Sequence, residues 1–476
     1  MTFNHLKKGD LSFCVLLILL SVLYISETTA LLSIFISYLF TFYYMYKERM
    51  LYVVITLLFC SGYWGGYNNL NVPLLGGYLY LASWLLLSFL ILRKEKYSIS
   101  TNDKRLFALI FVVFSIFLSF IFSLSNYELF SDSLHLFHLR KGVLFAFFVI
   151  SLIICTPIFT RERVLRLFII INISWVVASL ILICFSYLFG VGTVESSPGY
   201  ISTPISYDDL QSLNFSFVLL LFTFGERKTR LLSAPLLFGH MLIIIKTGLS
   251  GQLIIISGFV LSLSVIIYCR KYLIIFLPFF IAAIIAIFSY SFQGDKLDEV
   301  DNPNNDILIY KTNSIISLLS SGLDELAWSP RVRVIELINV LDKPVHLLFF
   351  GDSLTGHMIE SSYYFDFSES SNPDDDFPAL ERSSGRYYSL HNVSNIIMKH
   401  GFIFYLILLL FFYCSLKKNK DKRNRDYMLL VIVVCAVSAL NFGWTWRVSG
   451  VFIITLMSTL LTFDKEKNMN IREDKL

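Results

Sequence analysis

The stretch LFIIINISWVVASLILICFSYL, residues 167–188, contains no aspartate, glutamate, lysine or arginine. A helix needs about 20 predominantly apolar residues to cross a hydrocarbon core about 30 Å thick, so this stretch is long enough. Similar runs centre on 11–26, 30–46, 51–67, 74–92, 106–123, 142–159, 212–225, 231–245, 252–269, 272–292, 396–415, 427–440 and 448–463. Backbone groups in lipid must bond within their own segment, which makes these runs helices. A barrel would instead show alternating segments of about 10 residues. The spacing predicts an all-α, polytopic membrane helix bundle of about fourteen transmembrane helices.

Composition points the same way. Of 476 residues, 56% are hydrophobic and 16% charged. A soluble domain carries about 25% charged residues, so this chain lacks the charge to cover a soluble surface. Disorder is excluded by the same figures, since it needs low hydrophobicity and high net charge. A formal net charge of +4 is too small to imply nucleic acid. The seven cysteines lie in apolar runs with no metal-type spacing, which argues against a disulfide framework or a zinc site.

Basic residues set the orientation. Lys7 and Lys8 precede the first apolar run in the manner of a signal peptide. No clear small-residue cleavage site follows, so the run is read as a first membrane helix. With that end cytoplasmic and the sides alternating, most of the 39 Lys and Arg residues fall inside. They cluster at Lys47 and Arg49, 93–105, Arg161 to Arg166, Arg227 to Arg230, Arg270 and Lys271, 417–425 and 465–475. Both termini are expected in the cytoplasm. Residues 1–292 form a bundle of about eleven helices, 293–395 a large external loop, and 396–476 three final helices with a tail. The loop carries 17 acidic residues against 7 basic ones. Within it, Ser329-Pro330 reads as a helix cap followed by proline at the first helical position. The segment RVRVIELINVL, 331–341, fits a short helix.

Four basic residues break the inside rule: Arg140, Lys141, Lys246 and Arg447, at predicted outer helix ends. They suit an anion site, because an Arg fork matches phosphate oxygens and Lys supplies a point charge. Snorkelling to the interface is the competing explanation. Lys246 lies in IKTGLSGQL, where Gly248 and Gly251 would let backbone approach a ligand. Arg331 and Arg333 are two apart and face different sides of a helix. Arg331 is the choice for a ligand contact, with Arg333 near Glu336 or at the edge of the same substrate site. His391 sits where the loop meets the next membrane run, in SLHNVSNIIMKHG. It titrates near neutrality and suits a general base. Asn392 beside it could orient a hydroxyl or cap the helix. His135, His138 and His400 read as interfacial, and His240 as an intramembrane group that is either functional or bonded to a carbonyl. Asp374 to Asp376 read as a solvated charge run, and Asp208 and Asp209 as a weak sugar-binding candidate. No phosphate-binding glycine loop, dinucleotide fingerprint or metal triad is present, so no cofactor and no metal are expected.

Three features of the chain resemble the bacterial O-antigen polymerase and O-antigen ligase superfamily. The order is many helices, a large external loop, then three helices. The text SPRVRVIELINVLDKPVHLLFFGDSLTG is similar to that family's arginine, short helix, proline and glycine-rich turn, here Arg331, Pro344, Gly351 and Gly356. The text HNVSNIIMKHG is similar to its His-Asn and following glycine, here His391, Asn392 and Gly401. The chain departs in having Lys246 before TGLSGQ where the family often has an arginine in that turn. It also has Lys399 where an acidic residue is common.

The resemblance implies an integral membrane glycosyltransferase of the bacterial inner membrane, using an undecaprenyl-pyrophosphate-linked oligosaccharide at the periplasmic face. His391 and Arg331 would be catalytic. Arg333, Asn392, Lys246, Arg447 and Arg140 would bind substrate. A chain-length regulator protein is a further candidate partner beside the lipid bilayer. O-antigen polymerase is favoured, with O-antigen ligase as the alternative. A lipid-linked sugar flippase or transporter, or an adhesion or signalling protein built on the loop, are rival readings from other classes.

Overall fold

The computed structural model describes, in the main, residues 8–60, 78–95, 133–155, 161–190, 227–247, 328–352, 355–369, 377–388 and 394–403. These residues are mostly helical. The helices are α1 (Lys8–Val22), α2 (Glu27–Tyr46), α3 (Met50–Cys60), α4 (Leu79–Glu95), α5 (Ser133–Ile154), α6 (Arg161–Phe189) and α7 (Arg227–Thr247). In the loop region follow α8 (Trp328–Leu341), α9 (Val345–Phe350) and α10 (Ala379–Ser384). Two small antiparallel ribbons accompany them. One pairs β1 (Val194–Ser197) with β2 (Tyr200–Ser202), and the other pairs β3 (Met358–Ile359) with β4 (Arg386–Tyr387). Among the described residues, two helical stretches are long and apolar enough to cross a membrane, Thr28–Tyr46 and Arg163–Phe189.

Apolar helices place their hydroxyls against carbonyls one turn back, which satisfies them without an aqueous partner. Ser37, Thr41, Thr56, Ser88 and Ser151 all do so. The hairpin of α2 and α3 brings Thr41 Oγ1 to 3.0 Å from Thr56 Oγ1. Ser26 starts α2 with a reciprocal capping box to Thr29, closing two otherwise orphaned donors. The pair α4 and α5 touches through Ser88 Oγ, 3.3 Å from the Ser151 carbonyl.

Charge gathers at one end of the bundle. Asp10 of α1 is buried, and Arg166 of α6 grips it with both Nε (2.7 Å) and a terminal nitrogen (2.5 Å). Tyr52 of α3 donates to the same carboxylate at 2.7 Å. The starts of α1, α3 and α6 therefore lie side by side. Deeper in, His240 of α7 meets Asn172 of α6 at 2.9 Å and stacks on Trp175. Gly239 allows this approach, since a Cβ there would fall 2.4 Å from Val176 Cγ1. His240 thus bonds a side chain rather than a backbone carbonyl.

The described part of the loop has its own apolar core. On α8 the buried positions are Val332, Ile335, Glu336, Asn339 and Val340, the stripe expected of a helix with one face covered. Of these, Val332, Ile335 and Val340 pack with Met358, Phe365, Phe377, Tyr387, Leu390, Ile397 and Met398. Asn339 fastens the following turn: its Oδ1 accepts from the amides of Ser361, Ser362 and Tyr363, and its Nδ2 donates to the Tyr363 carbonyl at 2.7 Å. Helix α8 begins at Trp328, so Ser329 lies inside the first turn rather than capping it. Pro330 remains tolerated there, because first-turn amides have no partner within the helix.

Candidate functional site

The turn after α9 and the helical residues 394–403 meet. Helix α9 ends at Gly351, whose backbone (φ 78°, ψ 166°) occupies a region essentially restricted to glycine. A Cβ on Gly351 would lie 2.4 Å from the Lys399 carbonyl oxygen and 2.5 Å from the His400 nitrogen. Gly401, also at positive φ, would place a Cβ 2.3 Å from the Phe349 carbonyl oxygen. The turn after α9 and the helical residues 394–403 thus touch backbone to backbone. The Asp352 amide donates to the Met398 carbonyl at 2.7 Å and ties them further. Lys343, between α8 and α9, pairs with Asp352 and donates to the His357 carbonyl at 2.6 Å.

A cluster of titratable and aromatic groups lies beside this junction, and it joins the loop to the bundle. Glu381 on α10 has no solvent exposure, and His138 on α5 is 5% exposed. The His138 Nε2 lies 3.0 Å from Glu381 Oε1. The second carboxylate oxygen accepts the Tyr388 amide at 2.9 Å. The Tyr388 ring lies flat on the His138 imidazole, with centroids 4.4 Å apart and planes at 4°. His357 approaches the same ring at 5.2 Å and His135 at 6.2 Å. Burial, then the Lys343 charge, pushes the His357 imidazole down to about 4, so it is neutral at physiological pH. Nearby, the Tyr387 hydroxyl donates to Glu360 at 3.1 Å, and burial followed by that carboxylate raises its pKa.

The residues singled out in the sequence are distributed as follows. Arg331 and Arg333 are both half-buried and flank the buried stripe of α8, with Glu336 inside that stripe. The Asp366 carboxyl is held low, first by hydrogen bonds from Ser368, with Arg331 contributing charge. Arg140 is exposed on α5 with its guanidinium 5.8 Å from the Phe137 ring centre. It belongs to a helix rather than to a connecting segment, as does the backbone of Lys141. Lys246 lies in the last turn of α7. His391, Asn392 and Arg447 lie outside the described residues; Leu390, adjacent to His391, is buried in the loop core.

Sequence reasoning missed the contact between His138 and Glu381. They are far apart in the chain, and neither sits in a recognisable motif. The available signal was the spacing of His135 and His138: two imidazoles three apart share a helix face. Among the described residues no group of His, Cys, Asp and Glu has the arrangement of a metal site. No protein-family model matches the chain, and no curated protein matches it.

Proposed function

We propose that this chain is an O-antigen polymerase, a multi-pass glycosyltransferase of the bacterial inner membrane acting on undecaprenyl-pyrophosphate-linked oligosaccharides. One observation carries the reading. Gly351, in the turn that follows α9, and Gly401, ten residues after His391, are crossed backbone to backbone. A site assembled there would have a cation and a base on adjoining segments at one membrane face. The positions of the basic clusters in the sequence support assigning that face to the periplasm.

The chemistry asks little else of the protein. A sugar hydroxyl of a lipid-linked repeat attacks the anomeric carbon of the growing chain. Its proton passes to His391, the bond to the pyrophosphate oxygen breaks, and the electron pair leaves on the undecaprenyl pyrophosphate. Arg331 opposes that developing charge, with Arg333, Asn392, Lys246, Arg447 and Arg140 as further contacts to sugar or pyrophosphate. Pyrophosphate is a good leaving group, so the scheme proceeds without a nucleotide.

The test is a gel of surface polysaccharide from a strain lacking the gene. A single repeat on lipid A-core supports the polymerase. Long chains confined to the lipid carrier would assign a ligase instead, and an unchanged ladder would remove both. In a complemented strain, His391→Ala should leave protein in the membrane and no polymer. Arg331→Lys should also be poorly tolerated, because an ammonium cannot replace a bidentate fork. Near-normal ladders in His391→Ala would overturn the base assignment.

A further inference from the structure

We infer that α9, VHLLFF at residues 345–350, is an interfacial anchor that seats the loop on the bilayer, with Val345, Phe349 and Phe350 sunk into lipid. The partner is the membrane surface, and the inference does not depend on the sugar chemistry proposed above. Every residue of α9 except His346 is apolar, yet none is buried. Leu348 leans on the loop core, while Val345 is 68% exposed and Phe350 66%. Single exposed apolar residues mean little. Three on one six-residue helix form a patch that calls for a partner.

The neighbouring helix identifies that partner. The Phe349 carbonyl sits where a Gly401 Cβ would go, and the Phe349 ring lies 6.4 Å from the Phe402 ring. Before this crossing, residues 394–399 are all buried. After it, Ile403, Leu406, Leu410 and Tyr413 are exposed helical positions. Spaced three or four apart, they line one face and extend about 15 Å along the axis. The helix thus changes from protein-covered to exposed and apolar at the level of α9. In a chain with helices long and apolar enough to cross a membrane, lipid covers such a stripe, and α9 stands where the stripe begins. Apolar burial holds α9 there, as in interfacial helices that sink about 5–10 Å into the acyl boundary. Attraction to anionic headgroups has little to act through: Lys343 is paired with Asp352, and Lys399 is buried. A second copy of the chain fits poorly. A phenylalanine buries about 150–250 Å², so these three partly exposed side chains offer about 300–400 Å². A stable interface takes about 800 Å² from each partner.

The test places single nitroxide labels on the full chain, with its native cysteines replaced, in nanodiscs of phosphatidylcholine and phosphatidylglycerol. Labels on Val345→Cys and Phe350→Cys should collide more with oxygen, which concentrates in lipid, than with a water-soluble nickel chelate. Leu406→Cys should behave alike. Ser368→Cys, exposed beside the Asp366 carboxylate, should show the reverse. If the α9 labels follow Ser368→Cys, the helix lies in water and the anchor is overturned. Shielding from both reagents also overturns it: shielding relieved in single-chain nanodiscs assigns a second copy, and shielding that persists there assigns cover by the chain itself. A signal at α9 that vanishes without phosphatidylglycerol would assign a headgroup charge contact in place of insertion. In the chain with its native cysteines, Val345→Glu should lower Tm in nanodiscs and Val345→Leu should not, because a charge is costly in hydrocarbon. A charge at an exposed site in water changes stability little, so a wild-type Tm for Val345→Glu would overturn the anchor independently of the labels.

Discussion

At the scale of the residue, glycine geometry and one buried imidazole make separable claims. Gly351 stands at φ 78° and ψ 166°, with backbone atoms where a Cβ would go. Gly385 ends α10 at φ 63° and ψ 19°, with nothing within 4 Å of a Cβ. Gly385→Ala therefore costs only the left-handed conformation, about 1–2 kcal/mol. Gly351→Ala adds overlap with the Lys399 carbonyl and should cost well above that, reading as a larger fall in Tm of the purified chain. Equal losses would mean that the junction yields freely. His357 makes a pH claim. Its folded pKa is lowered to about 4, by burial first and the Lys343 charge second, with Asp352 acting in the opposite direction. An unfolded histidine takes up its proton near 6.5. Between those values the unfolded chain binds more protons, so the contribution is complete above about 6.5 and is lost as pH falls toward 4. The drop in Tm between pH 7 and about 4.5 should be shallower in His357→Asn. An identical drop would place the acid sensitivity elsewhere.

At the scale of the element, the apolar runs carried most of what could be read, and polar contacts between elements carried what could not. The run at 167–188 became α6 (Arg161–Phe189), and 30–46 became α2 (Glu27–Tyr46), because lipid-like length and composition are local properties. The run at 142–159 became α5, beginning at Ser133. Its first turns, SLHLFHLRKG, are too polar for a hydropathy reading, yet they stay helical where Glu381 and Tyr388 cover the histidines. The apolar period of 331–341 similarly foretold α8, whereas Asn339 pinning three amides of the next turn had no local signature. The same holds for Asp10, 156 residues from Arg166. Removing one partner of a buried pair leaves an uncompensated charge and typically costs about 3–5 kcal/mol. Arg166→Ala should accordingly lower membrane yield and Tm sharply, and Asp10→Asn/Arg166→Gln should recover part of the loss by removing both charges. If the single and double variants melt together with wild type, the pair has no stabilising role.

At the scale of the whole molecule, the arrangement makes one side of the bundle chemically unlike the other. The starts of α1, α3 and α6 converge on Asp10, and their flanking segments hold Lys7, Lys8, Lys47, Arg49, Arg161 and Arg163. The start of α5 meets the acidic loop through His138 and Glu381. Since α5 ends at Ile154 and α6 starts at Arg161, the loop contact and the Asp10 cluster lie at opposite ends of these helices. Positive charge retained on the cytoplasmic side would then orient the loop outward. By the same rule, the alternation of basic clusters in the sequence would put residues 417–425 on the cytoplasmic side. Single cysteines make this testable in a background with the seven native cysteines replaced. Ser371→Cys should react with a membrane-impermeant maleimide added to spheroplasts, and Asn419→Cys only after the membrane is permeabilised. Protection of Ser371→Cys together with ready labelling of Asn419→Cys would invert the topology. It would put Arg331 and Glu381 in the cytoplasm, away from any periplasmic lipid-linked donor, and the polymerase reading would fail with it.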